Sequence, residues 1–207
     1  MNFKAMTAVA ALMLAPTFAL ADADDDSMVL NDDLEMVTKT AAPAHLSDAL
    51  DEVMSGWHFR SDETQMMQLD DFDNPGMVFV EAGMEAWETV DGSEGKSCSS
   101  CHDDIDSMAG VKATYPKWNE GAGEVRTLQM QMNDCRTNRM GAEAWKYDKG
   151  AAINMEAALS SVSRGMPVNV AIDGPAQSMW EKGKELYYTR TGQLELSCAN
   201  CHEDSYG

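Results

Sequence analysis

Basic side chains are scarce in this chain: 15 Lys and Arg stand against 35 Asp and Glu in 207 residues, a formal net charge of −20. A surface of that sign repels nucleic acid and anionic membranes, so neither class of partner fits. It would instead draw in a basic docking patch through its long-range field. Strand signals are lacking too. No stretch alternates apolar and polar residues as a half-buried strand does, so an all-α fold is expected. Ile and Leu are few, and 17 Met supply much of the apolar content. Flexible thioether side chains pack well against an irregular surface.

Long apolar runs are absent apart from one, Ala5 to Leu20, broken by Thr7, Pro16 and Thr17. A spanning helix wants about 20 apolar residues without a proline. Lys4 precedes the run, Ala19-Leu20-Ala21 closes it, and the chain turns acidic at Asp22. That order of charge, apolar run and small-residue exit is a secretory signal peptide over residues 1–21. The remainder is expected to be exported, which in a bacterium means the periplasm.

What the chain does have is a repeat with a period of one hundred residues. Glu81, Gly83, Glu85, Thr89, Gly92, Ser97, Cys98, Cys101 and His102 meet identical residues at 181, 183, 185, 189, 192, 197, 198, 201 and 202. Each copy opens with an amphipathic pattern: Phe79, Gly83, Trp87 and Val90 in the first, Met179, Trp180, Gly183, Leu186 and Tyr187 in the second. A Gly on such a stripe lets another helix cross closely. Downstream in the first copy, Val125, Leu128, Met132 and Cys135 fall on one face of an expected helix. Another is expected from Ala151 to Ser163, with Ala152, Met155, Leu159 and Val162 inward, ending before Gly165 and Pro167. The organisation that follows is an acidic extension over 22–75 with a short helix around Leu46–Met54, a first domain over 76–172, and the start of a second over 173–207.

Both copies end in Cys-x-x-Cys-His, which reads as c-type haem attachment. Cysteines three apart match the two vinyl groups of the porphyrin, and the adjacent His supplies the proximal imidazole. Cys98, Cys101, Cys198 and Cys201 would carry the thioethers of two covalent haems c, with His102 and His202 on iron. A thioredoxin-like pair wants a βαβ setting, and a four-cysteine zinc site does not explain a His after each pair. The fold expected is two tandem class I cytochrome c-like domains, the second incomplete.

For the sixth ligand of the first haem two residues compete. Cys135 is the one cysteine left over and sits on the apolar helix face. Met166, in Arg164-Gly165-Met166-Pro167, stands in a loop of the kind that ligates iron in many simple cytochromes. Thiolate lowers the iron potential and thioether raises it. Cys135 is favoured, because an odd cysteine in an exported protein needs a job. His45 and His58, the remaining histidines, read as surface or packing residues.

Asn133-Asp134-Cys135-Arg136-Thr137-Asn138-Arg139-Met140-Gly141, followed by Ser163-Arg164-Gly165-Met166-Pro167-Val168, resembles the SoxA subunits of periplasmic SoxAX cytochromes. With the two haem motifs and the leader, the resemblance runs to residue 207. It implies a haem-dependent L-cysteine S-thiosulfotransferase that pairs with the small cytochrome SoxX and joins thiosulfate to the carrier cysteine of SoxYZ. It also implies His102 and Cys135 as the axial pair of the first haem. The second haem, with His202 proximal, would lie at the active site beside a cysteine able to become a persulfide. Only Glu203-Asp204-Ser205-Tyr206-Gly207 follow the second motif, so that catalytic cysteine has no position here and is expected beyond Gly207. A chain so truncated is expected to be inactive alone. A plain dihaem electron carrier and a thiosulfate dehydrogenase are the competing functions; the Cys135 neighbourhood favours the SoxA reading.

Overall fold

The computed structural model describes residues 26–205. The leader expected over 1–21 lies outside them. The described residues begin with two antiparallel hairpins, which the all-α expectation did not contain. Strands β1 (Ser27–Leu30) and β2 (Leu34–Val37) pair Leu30 with Leu34 across a turn. Asn31 and Asp32 hold positive φ there, a conformation their short polar side chains tolerate. Met28, Leu30, Leu34 and Met36 face inward while Val29, Glu35 and Val37 face out. Four-residue strands are too short for that alternation to stand out among acidic neighbours.

The second hairpin, β3 (Lys39–Ala41) with β4 (Glu52–Met54), overturns the helix expected around Leu46–Met54. Pro43 to Leu46 turns back on itself, and the partner strand claims the amide groups of the last three residues. A 3₁₀ turn (Gly56–Phe59) and helix α1 (Asp62–Leu69) complete this extension.

Helix α2 (Met77–Glu88) leads through the loop 91–96 into the short helix α3 (Ser99–His102). A third hairpin, β5 (Lys117–Asn119) with β6 (Glu124–Arg126), precedes helix α4 (Leu128–Cys135). Val125 therefore belongs to a strand, not to the helix of Cys135. Thr127 ends the strand and caps α4, its hydroxyl accepting from the Met130 amide at 3.2 Å. Helix α5 (Ala151–Ser161) stops two residues short of Ser163. The repeat then reappears as helices α6 (Gln177–Tyr188) and α7 (Cys198–His202), with Gly92 and Gly192 at φ of 74° and 75°. No helix among the described residues is long and apolar enough to cross a membrane.

The core is the crossing of α2 and α5. Val80, Gly83 and Trp87 are buried on one helix, and Ala152, Met155, Ala158 and Leu159 on the other. Phe79 and Val90, expected inward, are exposed, so the buried stripe lies one residue round from the expected one. Met155 and Leu159 are fully buried and each contributes about 2 kcal/mol. Contact is this close because Gly83 has no side chain: a methyl group there would overlap the Asn154 carbonyl and the Ala158 methyl. Gly183, its equivalent, has open space around it, and Met179 and Leu186 are exposed.

The extension is pinned to this core by one bidentate ion pair. Arg164 donates to both Asp71 oxygens, at 2.6 and 2.8 Å, and Asn31 donates to the same carboxylate at 3.0 Å. These bonds, the Arg164 contact foremost, hold the Asp71 carboxyl below the usual carboxylate range, although partial burial opposes them.

Two outcomes are expected. Gly83→Ala should lower stability by about 1–3 kcal/mol from overlap, whereas Gly183→Ala in this chain should be neutral or gain about 0.5–1 kcal/mol of helix propensity. Denaturant midpoints of the two variants check this; equal losses would contradict it. For Asp71, the folded pKa is depressed, so its contribution is present above the unfolded value of about 3.9 and lost as pH falls through the folded value. Asp71→Asn should cost about 1 kcal/mol at pH 7, and the gap from wild type should close on acidification below about pH 4.

Candidate haem sites

Each Cys-x-x-Cys-His forms one helical turn, begun by a serine that the repeat shares. The Ser97 hydroxyl accepts from the Ser100 amide at 3.2 Å, and its own amide donates to the Ser100 hydroxyl at 2.9 Å. Ser197 and Asn200 close the equivalent capping box in the second copy. The His102 amide bonds to the Cys98 carbonyl at 3.1 Å, which winds both cysteines and the histidine onto one turn. The Trp87 indole donates to the Asp103 carbonyl at 2.9 Å, and its ring lies 5.9 Å from the His102 ring. The aromatic of α2 thus backs the histidine.

Opposite stands Cys135, at the last residue of α4. The chain continues directly into a π-helical turn (Arg136–Met140), a geometry frequent at functional sites. That turn is locked to the loop before the haem motif. Ser93 and Glu94 amides donate to the Gly141 and Met140 carbonyls at 3.2 and 3.1 Å. A side chain on Gly92 would overlap the Met140 carbonyl, and one on Gly141 would overlap the Ser93 hydroxyl. Both glycines also hold positive φ.

Arg136 crosses the same junction. It is 5% exposed, donates to Asp91 at 2.6 Å and to the Glu143 carbonyl at 2.9 Å, and stacks 4.0 Å from the Trp145 ring centre. The arginine bond, with help from the Gly92 amide, holds the Asp91 carboxyl below its usual range. Asn133 clamps Trp145 from the other side, donating to its carbonyl at 2.9 Å and accepting from its amide at 2.8 Å. Neither Asp91 nor Trp145 carries a motif signal; Asp91 even meets Thr191 in the repeat.

Between these walls lies a cavity of about 460 Å³. Cys98, Cys101, His102 and Cys135 all line it, with Leu128 and the side chains of Met108, Met132, Met140 and Met155. Burial pushes the Cys98 thiol pKa up, against the opposing pull of Arg136. Lys96, Lys117, Arg136 and Arg139 also reach the cavity, a concentration of cations in an acidic chain. An apolar slot with a thiol pair and imidazole on one wall, a sulfur on another and cations in reach fits a porphyrin with its two carboxylates. Met166 is not among the lining residues; it is 45% exposed, beside Gly110. Neither His45 nor His58 lines the cavity: His45 packs on Trp180 and His58 on Trp57.

The second motif has a different setting. Cys198 and Cys201 are exposed, and Leu186, Leu194 and Leu196 around them are 65%, 80% and 46% exposed. Tyr187 replaces the backing Trp87, and Tyr188 donates to Glu203 at 2.7 Å.

Residues 82–168 match the family model of the SoxA/TsdA cytochrome c domain. The chain is 54% identical over 189 residues to the L-cysteine S-thiosulfotransferase subunit SoxA of Rhodovulum sulfidophilum, covering 91% of this chain and 66% of that protein. Against the same subunit of Pseudaminobacter salicylatoxidans it is 47% identical over 207 residues, covering 94% and 71%. The crystal structure of SoxXA from P. pantotrophus superposes with a TM-score of 0.82 at 49% identity, covering 87% of this chain and 69% of that one. The chain spans about two thirds of the length of these curated relatives. The match establishes a cytochrome c fold, which supports haem c as cofactor; among the described residues three short hairpins decorate it. By sequence and by fold, the chain belongs to the SoxA family.

Proposed function

We propose that this chain carries two covalent haems c, in tandem cytochrome c-like units over 76–172 and 173–207. Cys98 and Cys101 hold the first and Cys198 and Cys201 the second, with His102 and His202 as proximal ligands and Cys135 as the second axial ligand of the first. Exported to the periplasm and paired with SoxX, a SoxA chain of the relatives' full length serves as an L-cysteine S-thiosulfotransferase acting on the carrier SoxYZ, and this chain supplies the haem-attachment motifs for that activity. The observation that carries this reading is the convergence of Cys98, Cys101, His102 and Cys135 on one apolar cavity from which Met166 is absent.

The reaction is an oxidative coupling. A carrier thiol and thiosulfate form a carrier–S–S–SO3⁻ linkage, releasing one proton and two electrons. Haem held by Cys98, Cys101 and His102 would supply single-electron acceptance for this two-electron oxidation. The residues of this chain orient and insulate. Ser107 donates to the His102 carbonyl at 2.6 Å, which anchors the backbone there, and Trp87 backs the imidazole. Leu128 and the four methionines make the walls apolar. The acidic surface suits a carrier or cytochrome presenting a basic face.

Three measurements test the reading. Intact mass after expression with the haem-attachment machinery should exceed the apo chain by two haems, surviving acid–acetone extraction; haem lost on extraction would overturn it. Cys135→Ala should keep both haems but raise the potential of the first, because the anionic sulfur that favours ferric iron is gone; an unchanged potential would make Cys135 a buried thiol only. A SoxA chain of the relatives' full length, with SoxX, thiosulfate and an electron acceptor, should add thiosulfate to the SoxYZ carrier. Tetrathionate formed without carrier modification would instead favour a thiosulfate dehydrogenase.

A further inference from the structure

Resting on the assignment of Cys135 to iron, we propose that Gln131 is a positioning residue for that ligand: its amide N–H donates to the Cys135 sulfur, is aimed there by Asn119, and sets the potential of the first haem. Gln131 lies one helical turn before Cys135 on α4, so the two side chains share a face. Its Nε2 is 3.7 Å from Sγ, within reach of a hydrogen bond to sulfur, and it lines the same cavity.

Which end of an amide points where is ordinarily ambiguous, because oxygen and nitrogen are nearly alike in shape. Here a backbone group removes the ambiguity. The Ala122 amide lies 2.9 Å from Asn119 Oδ1, and a backbone N–H can only donate, so that atom must be the oxygen. Asn119 therefore presents its NH2 to Gln131, at 3.0 Å, and the Gln131 atom that receives it must be Oε1. The remaining end of Gln131, its NH2, then faces the sulfur. The relay begins in the β5–β6 turn, where the Gly123 amide also bonds to the Asn119 carbonyl at 2.8 Å. Asn119 itself does not line the cavity.

A donor to an axial thiolate withdraws charge from sulfur and weakens its push on iron. The ferric state is then less favoured, and the potential is higher than with a bare thiolate. Removing the donor should lower the potential. Losing the thiolate itself should raise it, so the sign of the shift separates tuning from mere packing.

The experiment uses the haem-loaded protein with SoxX, by redox titration and ferric EPR. Gln131→Met keeps volume and removes the donor; it should lower the first haem's potential and retain the low-spin thiolate signal. Asn119→Asp offers only acceptors, so Gln131 should turn its NH2 toward the new carboxylate and its oxygen toward sulfur, again lowering the potential. That second shift should shrink in the Gln131→Met background, whereas a plain charge effect would be the same in both. A wild-type spectrum without the thiolate signal would overturn the ligand assignment and this inference with it. A wild-type thiolate signal with no shift in Gln131→Met, or a raised potential with the signal lost, would overturn the inference alone.

Discussion

The cavity holds its shape because one buried guanidinium ties its two walls together. Arg136 immediately follows Cys135, and the loop it grips through Asp91 immediately precedes the Cys98 helix. A buried charge is costly unless it is paired and hydrogen-bonded. Arg136 meets this condition with a carboxylate, a carbonyl and an indole face. The two walls therefore cannot drift apart without stranding that charge. Gly92 and Gly141 let the backbones approach closely enough for the match.

The same economy governs the rest of the first unit. Trp87 belongs at once to the α2–α5 core and to the support of His102, through its indole bond to the Asp103 carbonyl. Leu128, Met155 and Leu159 are core residues that also line the cavity. A small domain has little apolar surface to bury, and here core and cavity wall share side chains. Stability and the placing of His102 and Cys135 are coupled for that reason.

The two copies show how far a local motif can be separated from its setting. The turn of Cys198–His202, its serine cap and the positive-φ Gly192 reproduce the first copy closely. The packing does not: Gly183 faces open space where Gly83 faces α5. Local hydrogen bonds suffice to wind the attachment helix, and a helix crossing needs a partner.

From the sequence alone one could read the haem motifs, the repeat, the helices of the first unit and the candidacy of Cys135, because each rests on spacing along one stretch of chain. The hairpins at Ser27–Val37 and Lys39–Met54 were hidden, since strands of three or four residues leave too little pattern and gain their identity from pairing. Between Cys135 and Met166 the sequence favoured Cys135 only as the odd cysteine on an apolar helix face, which says nothing of where either residue sits in space. Folding places one beside the cavity and the other at an exposed turn. Asp91, Asn119, Gln131 and Trp145 had no signal in composition or periodicity. Their roles exist only as contacts between segments, such as the 45 residues that separate Asp91 from Arg136, and a contact across such a span is decided by tertiary packing.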